Sequence, residues 1–140
     1  MLTCSRRIHF DSAHRVIGHE NKCKFLHGHR FVLEASFVAH SMDNIGRVID
    51  FGKIKDLLGD WIDDNWDHNV ILSEKDRELG EQIAKITGQN VFYLDSNPTA
   101  ENMADYILKS VCPILFTNEK VRCNKIKLYE TPNCFVETCE

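Results

Sequence analysis

The chain has 140 residues, of which 43% are hydrophobic and 27% charged. That balance excludes wholesale disorder, and the length predicts one domain, residues 1–140, large enough to hold a core without covalent staples. With 17 Lys and Arg against 21 Asp and Glu, the formal net charge is -4, which argues against nucleic acid as a partner, since sequence-independent binding needs a basic face.

Residues 4–12 (CSRRIHFDS) read as a strand with Ile8, Phe10 and Ser12 on one side. Residues 29–40 (HRFVLEASFVAH) alternate with period two, placing His29, Phe31, Leu33, Ala35, Phe37 and Ala39 on one face. After the MDNIG turn, Asp50 is the expected N-cap of a helix. Its buried stripe is Ile54, Leu57, Leu58, Trp61 and Ile62. Residues 74–87 predict a shorter helix and 91–94 a short strand. Thr99, behind Pro98, is the expected N-cap of a second strong helix with Met103, Ala104, Ile107, Leu108 and Val111 inside and Pro113 as its end. Residues 121–130 and 134–138 predict a hairpin around the TPN turn. Helices punctuating hairpin-like strands give an α+β class with an antiparallel sheet.

No apolar run approaches the ~20 residues of a membrane span, so no membrane partner is expected. The opening MLTCSRRIHFDSAH has no apolar h-region, and cytoplasm is the expected compartment. Six cysteines, Cys4, Cys23, Cys112, Cys123, Cys134 and Cys139, show no CxxC pairing. All but Cys23 are expected as small apolar groups rather than bridges.

The chemistry concentrates in Cys23-Lys24-Phe25-Leu26-His27-Gly28-His29. In an extended stretch His27 and His29 project to the same side, close enough to share one ion. That side continues into Phe31 and Leu33, and an unpaired polar group there costs several kcal/mol on apolar transfer scales. His14 shares parity with Phe10 and Ser12, so a hairpin of the two strands brings it beside the pair. Three neutral imidazoles with one open position make a catalytic zinc arrangement. Two other readings stay open: surface histidines, or a closed structural site with Cys23 as fourth ligand.

Asp67-His68 follows the first long helix. Neighbours on a strand point apart, so the two need not touch; they are candidates for a proton relay with a thiol, or for an ordinary helix C-terminus. Glu130 shares parity with apolar Ile126 and Leu128, where a carboxylate needs a multi-donor partner such as a guanidine-like ring edge. Glu101 sits in the first turn of the Thr99 helix, where it complements the helix dipole.

F-D-S-A-H, C-x3-H-G-H, D-H, P-T-A-E-N and a terminal E-T together resemble the 6-pyruvoyl-tetrahydropterin synthase / 6-carboxy-tetrahydropterin synthase (QueD) family, over about residues 4 to 137. The resemblance implies a tunnelling (T-) fold: a four-stranded antiparallel sheet with two main helices on one face, joined through subunits into a barrel, usually a hexamer of two trimers. It implies zinc held by His14, His27 and His29, and Cys23 as proton acceptor. Asp67 and His68 would complete an inter-subunit triad with a neighbour's Cys23. Glu130 would anchor a pterin ring, with Thr99 and Glu101 as further substrate-binding candidates. The implied substrate is 7,8-dihydroneopterin triphosphate. The three residues between Cys23 and His27 resemble the carboxy-forming members, which serve queuosine and related deazapurine synthesis and release acetaldehyde and triphosphate. The pyruvoyl-forming synthase is the alternative within the family, and a non-catalytic zinc-stabilised assembly module is the alternative outside it. Two departures are Ser12, where the family often has Ala, and a longer stretch between His68 and Pro98.

Overall fold

The computed structural model describes residues 1–140. Six strands form one sheet: β1 (Thr3–His14), β2 (His27–Val38), β3 (Asn69–Ser73), β4 (Val91–Leu94), β5 (Arg122–Thr131) and β6 (Cys134–Cys139). Their order across the sheet is β4-β3-β1-β2-β5-β6. The β1-β2-β5-β6 half is antiparallel, and the expected four strands are all there. The expectation of a sheet limited to those four is corrected: β3 and β4 extend it, and both join in parallel.

Three helices accompany the sheet. Helix α1 spans 51–65, α2 is Arg77–Thr87, and α3 spans 100–115. The expected caps form. Asp50 accepts the Gly52 N–H at 2.9 Å and Thr99 accepts the Asn102 N–H at 3.1 Å. Two five-residue π stretches, Lys55–Gly59 in α1 and Ile107–Val111 in α3, widen the helices without ending them. Pro113 does not end α3, which runs on through Cys112–Leu115. The Cys112 N–H reaches back to the Ile107 carbonyl, so the wider register precedes the position where proline has no N–H to give.

The apolar stripes of α1 and α3 share one core with the sheet. Ile54, Leu58 and Ile62 meet Met103, Ala104 and Ile107 over Phe10, Phe31, Leu33 and Phe37, all buried. A side chain of this size contributes about 1.5–3 kcal/mol by leaving water. Both helices therefore lie on one face, as expected. Helix α2 is different. Val70 and Leu72 are buried yet stand outside that core, whereas Ile71 between them belongs to it. Strand parity puts Val70, Leu72 and Tyr93 on the opposite face, where α2 packs. Gly80 is the contact point. A Cβ there would come within 2.0 Å of the Tyr93 hydroxyl, while Arg77 lies over the Tyr93 ring at 4.0 Å.

Candidate metal centre and active site

The β1-β2 register decides the centre. His14 pairs directly with His27, and Ser12 with His29. Alternation then aims all three imidazoles to the helix-covered face at the rim of the core. Phe31 lies beneath, its ring centroid 5.6 Å from His14 and 5.5 Å from His29. Glu130 arrives from β5, at a shift in the β5-β6 register between Tyr129 and Thr131. Such irregularities re-aim a side chain. One ligand atom from each of His14, His27, His29 and Glu130 lies within 4.8 Å of every other.

The backbone fixes two of the three tautomers. His14 Nδ1–H donates to the Pro98 carbonyl at 2.7 Å, and His27 Nδ1–H donates to the Phe25 carbonyl at 2.7 Å. A carbonyl only accepts, so each Nδ1 carries a proton, and in the neutral ring the lone pair is on Nε2. The Nε2 atoms of His14, His27 and His29 are buried and have no hydrogen-bond partner. Glu130 Oε1 is 2.8 Å from His29 Nε2 and 3.4 Å from His14 Nε2, without hydrogen-bond geometry at the nitrogens. Contact with His14 is the main reason the Glu130 carboxyl is held below the usual carboxylate range, against opposing burial. Burial is the main reason His29 is pushed below the ordinary histidine value. Three buried and unpartnered Nε2 atoms facing one point fit a divalent ion with imidazole preference, of which zinc is the commonest.

Cys23 is not in that group of ligand atoms. It sits on a 3-10 turn, Lys22–Lys24, and lines a cavity with Lys22, Phe25, His27 and His29. The fourth donor grouped with the three imidazoles is Glu130. The loop carrying Cys23, residues 15–26, is pinned in three places. The Val16 N–H donates to the Cys23 carbonyl at 2.9 Å. Asn97 accepts from the Ile17 N–H at 3.0 Å and donates to the Ile17 carbonyl at 2.9 Å. Arg15 Nε donates to Asp76 at 2.7 Å, and a second guanidinium nitrogen meets the other carboxylate oxygen.

Asp67 and His68 touch, although strand geometry did not require it. Asp67 Oδ2 lies 2.8 Å from His68 Nδ1. The reason is backbone: His68 has φ +57°, the left-handed region, and is the only residue other than glycine with positive φ. Neighbouring side chains in a bend need not diverge as they do on a strand. Asp67 also accepts the Asp11 N–H at 2.9 Å, and the His68 N–H donates to the Asp11 carbonyl at 2.6 Å. The Asp67 hydrogen bond, then its charge, raises the His68 imidazole above its ordinary value. His68 lines a second depression with Asp11, Gly28, Arg30 and Gln89, which adjoins the cavity that holds Cys23 at His29. Thr99 spends its hydroxyl on the helix cap, and Glu101 is exposed in the first turn; neither belongs to the histidine group.

Several positioning groups escaped the sequence reading. The Pro98, Phe25 and Asp11 backbone atoms carry no side-chain signature. Asn97 did carry one, because Asn before Pro favours a turn, but nothing local tied that turn to Ile17.

A family model described as 6-pyruvoyl tetrahydropterin synthase matches residues 3–140. A Rickettsia felis protein named 6-carboxy-5,6,7,8-tetrahydropterin synthase is 53% identical over 137 residues, covering 98% of this chain and 99% of that one. A Haemophilus influenzae protein of the same name is 30% identical over 143 residues, covering 98% of each. Among solved structures, an uncharacterised Wolinella succinogenes protein shares the fold with TM-score 0.83 at 17% identity, covering 99% of this chain and 98% of that one. The Caenorhabditis elegans 6-pyruvoyl tetrahydropterin synthase does so with TM-score 0.69 at 21% identity, covering 99% and 95%. The chain belongs to the 6-pyruvoyl tetrahydropterin synthase family.

Proposed function

We propose that this chain is an enzyme converting 7,8-dihydroneopterin triphosphate to 6-carboxy-5,6,7,8-tetrahydropterin, with release of acetaldehyde and triphosphate. The observation that carries the reading is the convergence of three orphaned Nε2 atoms beside a cavity lined by a cysteine. The name shared by the relatives at 53% and 30% identity favours the carboxy product over the pyruvoyl one.

His14, His27 and His29 would hold zinc. When bound, the ion supplies Lewis acidity that makes the hydroxyls of the substrate side chain more acidic. Cys23, lining the same cavity, takes a proton as thiolate. Asp67 orients His68 and balances its charge. They serve the Cys23 of a neighbouring copy, in a hexamer of two trimers in the cytoplasm, a reading supported by the family match. Glu130 turns its carboxylate to the pterin's 2-amino group and ring N–H, fixing which carbon faces the thiolate. Thr99 and Glu101 remain the candidates for further substrate contact. The 140 residues act as one T-fold unit serving queuosine or related deazapurine synthesis.

A second reading has its own support. Glu130 Oε1 already lies 2.8 Å from His29 Nε2, so it can close the site as a fourth donor, giving a zinc-stabilised assembly module. Incubation with dihydroneopterin triphosphate decides between them. The enzyme yields acetaldehyde and a product with the mass of the carboxypterin; loss of triphosphate alone indicates the pyruvoyl synthase. No product, with melting unaffected by pterins and lowered by chelation, indicates the module.

A further inference from the structure

The structure assigns Gln89 the part of a positioning residue for the Asp67–His68 pair, a role that rests on the relay reading above. Gln89 stands just beyond α2, past Gly88 (φ +75°), the left-handed residue that stops the helix. Its Nε2 donates to the His68 carbonyl at 3.0 Å. The stretch from His68 to Pro98 thereby acquires a task at the site, since α2 delivers this amide.

A non-glycine residue in the left-handed region is disfavoured and persists where its surroundings over-determine it. Three hydrogen bonds meet at the His68 bend. Asp11 N–H binds Asp67, His68 N–H binds the Asp11 carbonyl, and the His68 carbonyl accepts from Gln89. The first two use the β1 backbone and constrain only the N-terminal side of the bend. On the C-terminal side the Asn69 N–H donates to the Trp66 carbonyl at 3.2 Å, Asn69 Nδ2 donates to the Asn65 carbonyl at 3.2 Å and the Ser12 hydroxyl donates to the Asn69 carbonyl at 3.0 Å, while Gln89 is the side chain that binds the His68 carbonyl itself. Without it the peptide after His68 loses one of the ties that set its orientation, and with it the direction of the ring.

The placement is protected from the far side as well. Gly80 lets α2 close on Tyr93, where any Cβ would collide with the ring, so the distance from α2 to the sheet is set by contact. Ile83 and Thr87 of α2 line the same depression as His68 and Gln89 and bring no charge. The charged groups facing His68 are Asp67 beside it, Asp11 from β1 and Arg30 from β2.

The test substitutes Gln89→Met, which keeps length and removes the donor. Two measurements are made on the full-length protein: the His68 imidazole titration by NMR without substrate, and steady-state kinetics with dihydroneopterin triphosphate. A positioning role predicts a His68 midpoint moved down toward the ordinary histidine value. It also predicts kcat lower by about three- to ten-fold, the scale of one hydrogen bond, with KM and melting temperature unchanged. A wild-type midpoint in Gln89→Met overturns the proposal whatever the kinetics show. A lowered midpoint with unchanged kcat overturns it too, provided that the wild type turns over. Should the wild type not turn over at all, the relay reading fails on its own, and the titration still reports whether Gln89 sets the ring.

Discussion

The histidine rim and the Asp67–His68 bend are built by different means. In the rim, alternation along two adjacent strands and their register place every imidazole, so His14 opposite His27 follows from the pleat. In the bend, a left-handed residue is held by hydrogen bonds to β1 and to Gln89, contacts that span 56 and 21 positions of sequence. In the first kind of site the placement of the side chains follows from two adjacent strands. The second depends on parts of the chain that have no apparent business with it.

The contrast can be broken most forcefully at the rim. His27→Ala removes one of three imidazole donors, and zinc affinity is expected to fall by more than about 100-fold, beyond the range seen for supporting groups. Elemental analysis after dialysis checks this, and a full complement of zinc would overturn the ligand set. Cys23→Ala should keep its zinc and lose about 10²- to 10⁴-fold in turnover, the usual scale for a proton-transfer group. Loss of the metal in that variant would make Cys23 a ligand after all. Glu130→Gln separates the two readings of the site. Weak pterin binding with zinc retained favours the anchor, and zinc released into a competing chelator favours the closed module.

Asp67→Asn sharpens the other half. The carboxylate raises the His68 value, so its contribution to folding is present below the ordinary histidine range and is lost as pH rises through the raised folded value. The variant should lose that pH dependence and about 10- to 100-fold in turnover, as for a hydrogen bond to a charged group. Proton titration and pH–rate profiles together check it. The smallest effect is expected from Gly80→Ala, where the new methyl must displace Tyr93. Overpacking of this kind costs about 1–3 kcal/mol, read as a lower melting temperature.

What the sequence disclosed follows the same division. The faces of β1 and β2, the caps at Asp50 and Thr99, and the hairpin after Val121 are local patterns and formed as expected. Strand β3 was missed because Val70, Ile71, Leu72 and Ser73 are all buried; with both faces covered there is no alternation to read. Its parallel pairing with β1 is wholly non-local. Pro113 misled because the π stretch before it is invisible to a 3.6-residue period. Glu130 was legible by parity with Ile126 and Leu128, but its approach to His29 depends on the pairing of β2 with β5, which is non-local.

The short run Asn97-Pro98-Thr99 does three jobs at once. It clasps Ile17 of the cysteine loop, its Pro98 carbonyl steadies the His14 ring, and Thr99 launches α3. It is therefore a mechanical junction between thiol, ion ligand and hydrophobic interior. The start of α3, the Cys23 loop and the orientation of the His14 ring share one three-residue support.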